Sequence, residues 1–286
     1  MATIFCDTDC ELWYTHAREL NLEVIRMPYV IDGEEKLCDL GEETDTHDFY
    51  QKMRNGASAS TAGLNQQIYY DTFKPFFEKG EDILYIAFSS NLSGTFAYHD
   101  LAIAQLQAEY PNVKYLKFDT LNICMGAGLL VYMAAKYCRE HGDDIDATYA
   151  YLEKNVSKIA IYFVVDDMKY LARGGRISPA KAKIGNLMNI KPVLTVTQEG
   201  KLDVCAKQNG IKKAHKYMLD IFEENYQNID DAPVVVVDAD SRDISDEFTS
   251  KVREINSTVT IWQQPVGPVI GAHAGPGTLG IIFTRK

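Results

Sequence analysis

Ile83-Leu84-Tyr85-Ile86-Ala87-Phe88 runs directly into Ser89-Ser90-Asn91-Leu92-Ser93-Gly94-Thr95, and Phe96 to Tyr110 follows with apolar residues at helical spacing. The apolar run is continuous rather than alternating, the pattern of a strand buried on both faces. The polar segment then falls at a strand-to-helix turn. A helix N-terminus offers free backbone N–H groups and a partial positive charge. Ser93 and Thr95 would add hydroxyl donors, and Gly94 would let the backbone come close to a ligand. The same residues also fit an ordinary Ser/Thr helix cap. The local pattern leaves both readings open.

Working outward, Thr3 to Cys6 reads as a short strand, Leu12 to Leu20 as a helix and Leu22 to Met27 as a second strand. Val113 to Phe118 is another, again followed by a helical stretch. Strand and helix in alternation predict a parallel sheet with helices on its faces. Ligands of such sheets sit outside the carboxyl ends of the strands, where Asp7-Thr8-Asp9, Ser89 to Thr95 and Asp119-Thr120 would emerge together. An irregular insertion spans about residues 28–80. It contains a Tyr29-Val30-Ile31 strand, an Asp32-Gly33 turn, a helix from Ile68 to Phe77, and Ala57 to Gly63, read either as a flexible linker or as a loop offering Ser60 or Thr61 to a ligand.

From residue 159 the rhythm changes. Ile159 to Val165 and Ile190 to Thr197 read as strands, with Glu199-Gly200 turning the second into Lys201 to Cys205. Val234 to Val237, Thr258 to Trp262 and Leu279 to Phe283 add strands, and Ile211 to Asn225 and Ile244 to Ile255 add helices. The expectation is an α/β chain of two domains: an N-terminal parallel-sheet α/β domain over 1–158 and an α+β domain over 159–286, with a ligand held between them.

Bulk composition removes several function classes. The 286 residues carry a net charge of −11, from 29 Lys and Arg against 40 Asp and Glu, which repels nucleic-acid backbones; no basic stripe reverses this locally. The chain has no long apolar run and no signal-like start, so a cytoplasmic location is expected. The six cysteines and six histidines show no metal-ligand spacing. Reduced thiols are expected, with Cys6, Cys124 and Cys205 as small core residues. No nucleotide loop is recognisable, and no metal or cofactor is expected.

Two further segments carry chemistry. Tyr170 to Ser178 sets Arg173 and Arg176 around Gly174-Gly175, with Ser178 and Pro179 shaped to open a helix. Forked guanidinium donors suit a phosphate, a carboxylate or an acidic partner surface. Gly267 to Gly280 surrounds His273 with small residues that leave room for a ligand's polar end, although a lone histidine is also often structural. A hydrolase built on Ser93, His273 and Asp119 can be drawn, but no G-x-S-x-G elbow supports it.

Taken together, the Asp-containing first turn, Ser90 to Thr95, Asp119-Thr120, Tyr170 to Ser178 and Gly267 to Gly280 resemble the DegV family, which includes the FakB subunits of fatty acid kinase. The resemblance runs over about residues 3–284. It implies a non-catalytic carrier of one long-chain fatty acid such as palmitate, stearate or oleate, with the carboxylate held by Thr61, Ser93 with Gly94, and His273. Ser60, Thr95, Asp119 and Thr120 would support the pocket, and Arg173 and Arg176 would dock a kinase. The kinase would form an acyl phosphate for phospholipid synthesis, with transient membrane contact; a carrier of another anionic lipid is the nearby alternative. The family often continues after the threonine with Ser-Gln-Pro, whereas here Thr61 is followed by Ala62-Gly63-Leu64.

Overall fold

The computed structural model describes residues 2–183 and 189–286. Strands β1 (Ala2–Asp7) and β2 (Glu23–Ile25) open a parallel sheet. The hairpin β3 (Pro28–Ile31) and β4 (Glu34–Leu37) then joins β5 (Ala59–Thr61) in a small antiparallel sheet of order β4-β3-β5. Strands β6 (Asp82–Ala87) and β7 (Tyr115–Asp119) complete the parallel sheet in the order β2-β1-β6-β7. The segment Ala57 to Gly63, read either as a linker or as a ligand-facing loop, thus contains a strand. Its Ser60 and Thr61 pair with Val30 and Tyr29 of β3, so pairing with an exposed edge overrides their loop-like composition.

The second half builds one mixed sheet from β8 (Ile159–Val164), β9 (Ile190–Val196), β10 (Leu202–Asn209), β11 (Val234–Asp238), β12 (Ile261–Pro265) and β13 (Leu279–Thr284). Its order is β10-β9-β8-β13-β11-β12, antiparallel except for β11 with β12. The hairpin at Glu199-Gly200 forms as expected, and its second strand runs on to Asn209. The expected strand at Thr258 lies three residues later. Cys205 is exposed, unlike buried Cys6 and Cys124, because β10 is an edge strand; all six cysteines are free.

Period-two alternation assigns the faces. On β6, Ile83, Tyr85 and Ala87 pack with Phe73, Phe77 and Ala102 of the helices Gln66–Lys79 and Phe96–Glu109. Leu84 and Ile86 point the other way, into a core shared with Ile161, Phe163, Val235, Val237 and Ile282 of the mixed sheet. The outer face of that sheet is covered by the helices Ile211–Asn225 and Arg242–Ile255.

The helix Cys124–Glu140 lies in the shared core and is buried around most of its circumference. A β-carbon at Gly126 would stand 2.2 Å from Ile161 Cδ1, and one at Gly128 would stand 2.5 Å from the Cys10 carbonyl oxygen. The first neighbour is the end of a side chain and can move. The second is backbone. Gly128→Ala is therefore expected to destabilise by about 1–2 kcal/mol, overpacking outweighing the helix propensity that alanine adds. Urea denaturation should show a lower midpoint at unchanged slope.

Candidate functional site

Three polar turns meet at the carboxyl edge of the parallel sheet. After β6, the turn Ser89–Thr95 is pinned from behind: Ser89 Oγ donates to Gly200 O at 2.8 Å and Asn91 Nδ2 to Glu199 O at 2.7 Å. The turn that carries Ser93 is thereby tied to the β9–β10 hairpin. The helix cap expected of these hydroxyls does not form. Thr95 stands at the N-cap without a side-chain cap bond, and its hydroxyl pairs instead with Ser93 Oγ at 3.0 Å.

His273 sits in the short helix Pro268–Ala274, hidden from sequence reading by its glycine and proline content. Its Nε2 lies 2.9 Å from Thr61 Oγ1 on β5. The ring packs on the turn after the helix Lys169–Arg173, where a β-carbon at Gly174 would stand 2.1 Å from Nδ1; only glycine admits the ring there. Nδ1 is buried without a partner. Burial, together with the Arg176 and Arg173 guanidinium charges, pushes His273 down to about 4, so the imidazole is neutral at pH 7.

Thr61, Ser93, Gly94 and His273 line one cavity of about 540 Å³, as do Ser60 and Thr95. Both halves of the chain supply its walls: Phe88 and Ile123 from the first, Ile161, Phe163, Val237 and Ile282 from the second. The volume lies within the ~300–1,000 Å³ range of small-molecule sites. No protein atom stands within 4 Å of where a Gly94 β-carbon would be, which leaves open space beside Ser93.

Two expected supports fall elsewhere. Thr120 is fully buried and spends its hydroxyl on Ala87 O at 2.8 Å, while Asp119 Oδ1 accepts from the backbone N–H groups of Ser90 and Leu121. Both side chains tie turns together and neither lines the cavity. The two arginines, expected on a docking surface, both line it. Arg173 is exposed at the rim and its Nη2 donates to Ala59 O at 3.3 Å, whereas Arg176 is half-buried and bonds Gly174 O. Tyr98 also lines the cavity, as do Asp9 of the expected first turn and Thr278 of the Gly267 to Gly280 segment, none of them assigned a role from the sequence. Nothing local marks Tyr98; only the fold brings it there.

The arrangement suits binding better than hydrolysis. Ser93 Oγ is paired with Thr95 rather than with an imidazole, and His273 has no carboxylate on its free nitrogen to orient it as a base. Among the described residues no group of His, Cys, Asp and Glu could hold a metal ion, and no helix is long and apolar enough to cross a membrane.

A family model described as "Uncharacterised protein, DegV family" matches residues 1–286. The chain belongs to the DegV family. A DegV domain-containing protein of Clostridium perfringens is 34% identical over 280 residues, covering 98% of this chain and 96% of the relative. Two solved DegV structures share the fold. A fatty acid-binding DegV protein of Thermus thermophilus is 27% identical, with TM-score 0.84 and coverage of 100% and 99% of the two chains. A DegV lipid-binding protein of Thermotoga maritima is 25% identical, with TM-score 0.83 and full coverage of both. The DegV resemblance read from the five sequence motifs therefore holds, and so does the α/β class.

The electrostatics of this DegV site yield a direct check. In ligand-free protein the His273 ring is expected to titrate near pH 4 in proton–nitrogen NMR spectra. Arg176→Leu should move that midpoint upward, because it removes the guanidinium whose charge disfavours the imidazolium more than that of Arg173 does.

Proposed function

We propose that this protein binds one long-chain fatty acid, with its tail between the two main sheets and its carboxylate against Ser93, the Gly94 backbone, Thr61 and His273. What carries the reading is a single cavity whose walls are mostly apolar and whose hydroxyl and imidazole groups come from three separate chain segments. The fatty acid bound by the Thermus thermophilus relative supports it. In this reading residues 1–158 and 159–286 are two domains that close on the ligand.

The energetics fit a carrier. Burying about 15 methylenes contributes on the order of 12 kcal/mol before ordering costs, so the head group needs no strong ion pair. Neutral hydroxyl and imidazole donors fix a carboxylate while leaving its oxygens nucleophilic, whereas a bidentate guanidinium would hold back their charge. The protein is then a non-catalytic subunit in the cytoplasm. It presents the carboxylate to a separate ATP-dependent kinase that docks at exposed Arg173, and the acyl phosphate feeds phospholipid synthesis.

Denaturing mass spectrometry of purified protein should release a nearly stoichiometric long-chain fatty acid; a protein that is empty and ignores added palmitate and oleate overturns the reading. Ser93→Ala is expected to weaken fatty acid affinity by about 1–3 kcal/mol, since the buried head loses a donor. An unchanged dissociation constant in calorimetry would exclude Ser93 from the head-group site. With a cognate kinase, Arg173→Ala should slow acyl phosphate formation more than it weakens fatty acid binding.

A further inference from the structure

Three acids cluster after β1, and two of them have work. Asp7 accepts hydrogen bonds from Asp9 N, Tyr85 OH and Phe88 N, and Glu11 Oε2 accepts from Gly267 N at 2.6 Å. Asp9 differs. It is 6% exposed, it lines the cavity, and Oδ1 is enclosed without a partner; neither carboxyl oxygen accepts a hydrogen bond from the described residues. Arg176 lines the same cavity, half-buried. Its guanidinium is bonded to Gly174 O and forms no ion pair with Asp9, yet its charge is close enough to oppose the rise in the Asp9 pKa.

A plain acyl chain laid against this wall leaves the carboxyl unsatisfied, which is costly in an apolar site. The chemistry of the wall narrows what would satisfy it. Burial and the neighbouring carboxyls of Asp7 and Glu11 push Asp9 well above the usual carboxylate range, so its neutral form can both donate and accept. A second carboxylate on the ligand would bring a further charge into a largely apolar cavity at a desolvation cost, and an amine would meet Arg176. A hydroxyl meets neither objection, and it can donate to the carboxyl while accepting from it or from the guanidinium.

We propose that Asp9, with Arg176 beside it, makes this cavity selective for a long-chain fatty acid that carries a hydroxyl group on its chain. The proposal rests on the fatty acid reading and names the ligand class within it. The carboxylate stays with Ser93, Thr61 and His273, and the chain hydroxyl pairs with Asp9.

Calorimetric titration with stearic acid and with a positional series of monohydroxystearic acids tests it. For at least one position, the wild-type protein should bind the hydroxy acid about five- to tenfold more tightly than stearic acid. Asp9→Asn, which keeps a polar group in place, should retain a preference. Asp9→Leu should reverse it, with stearic acid now bound more tightly than every hydroxy acid. Wild-type protein that binds all hydroxy acids more weakly than stearic acid overturns the proposal and leaves the fatty acid reading intact, as does a preference that survives Asp9→Leu. Failure of every acid to bind overturns both.

Discussion

Both main sheets lean on the helix Cys124–Glu140, and it can serve both because it is apolar around most of its surface and carries glycine where the backbones come closest. A helix at a protein surface needs only one apolar stripe, whereas one packed between two layers needs two, with small residues wherever the layers press. The spacing of the layers follows from that requirement. The helix begins at Cys124, itself on the cavity wall, so the layers it separates at one end remain apart at the other. The gap between the sheets is the cavity of the candidate site. Gly280 on β13 lies on the cavity wall, where a β-carbon would stand 3.0 Å from Val237 Cγ2.

The groups proposed to meet the carboxylate come from segments far apart in sequence. Ser93 depends on Ser89 and Asn91 reaching the β9–β10 hairpin, Thr61 on the pairing of β5 with β3, and His273 on the absence of a side chain at Gly174. Each is placed by its packing against another segment. The site is consequently built as an assembly of turns around a rigid seam, and its geometry is inherited from the packing of the layers.

What the sequence displays and what it hides follow from the same physics. Ile83 to Phe88 and Val234 to Val237 are legible because a strand buried on both faces must be apolar throughout. The helix Ile211–Asn225 was legible to the residue because one face is buried and the other wet. Ala57 to Gly63 misled, since an edge strand paired on one side needs no apolar run. Pro268–Ala274 was hidden because tight packing selects glycine and alanine, which also read as loop. Thr120 and Asp119 look like ligand donors, but a tight turn consumes such groups on its own backbone. The head-group trio came from the family pattern, whereas Asp9 was legible only as part of a polar turn at the sheet edge, and its unsatisfied carboxyl on a cavity wall became visible in the fold.

The carboxyl of Glu11, bonded to Gly267 N, is pushed up to about 8 by burial, from a usual value of 4.5. A folded-state value above the unfolded one means that, between about pH 4.5 and 8, folding takes up a proton that the unfolded chain has released. The contribution of this group is most favourable below pH 4.5 and declines as the pH rises through 8, the reverse of an ion-paired carboxylate. Glu11 is therefore a proton reservoir in the first turn of the parallel sheet, and it is a rise in pH, which forces a charge into that buried site, that takes away its contribution to folding.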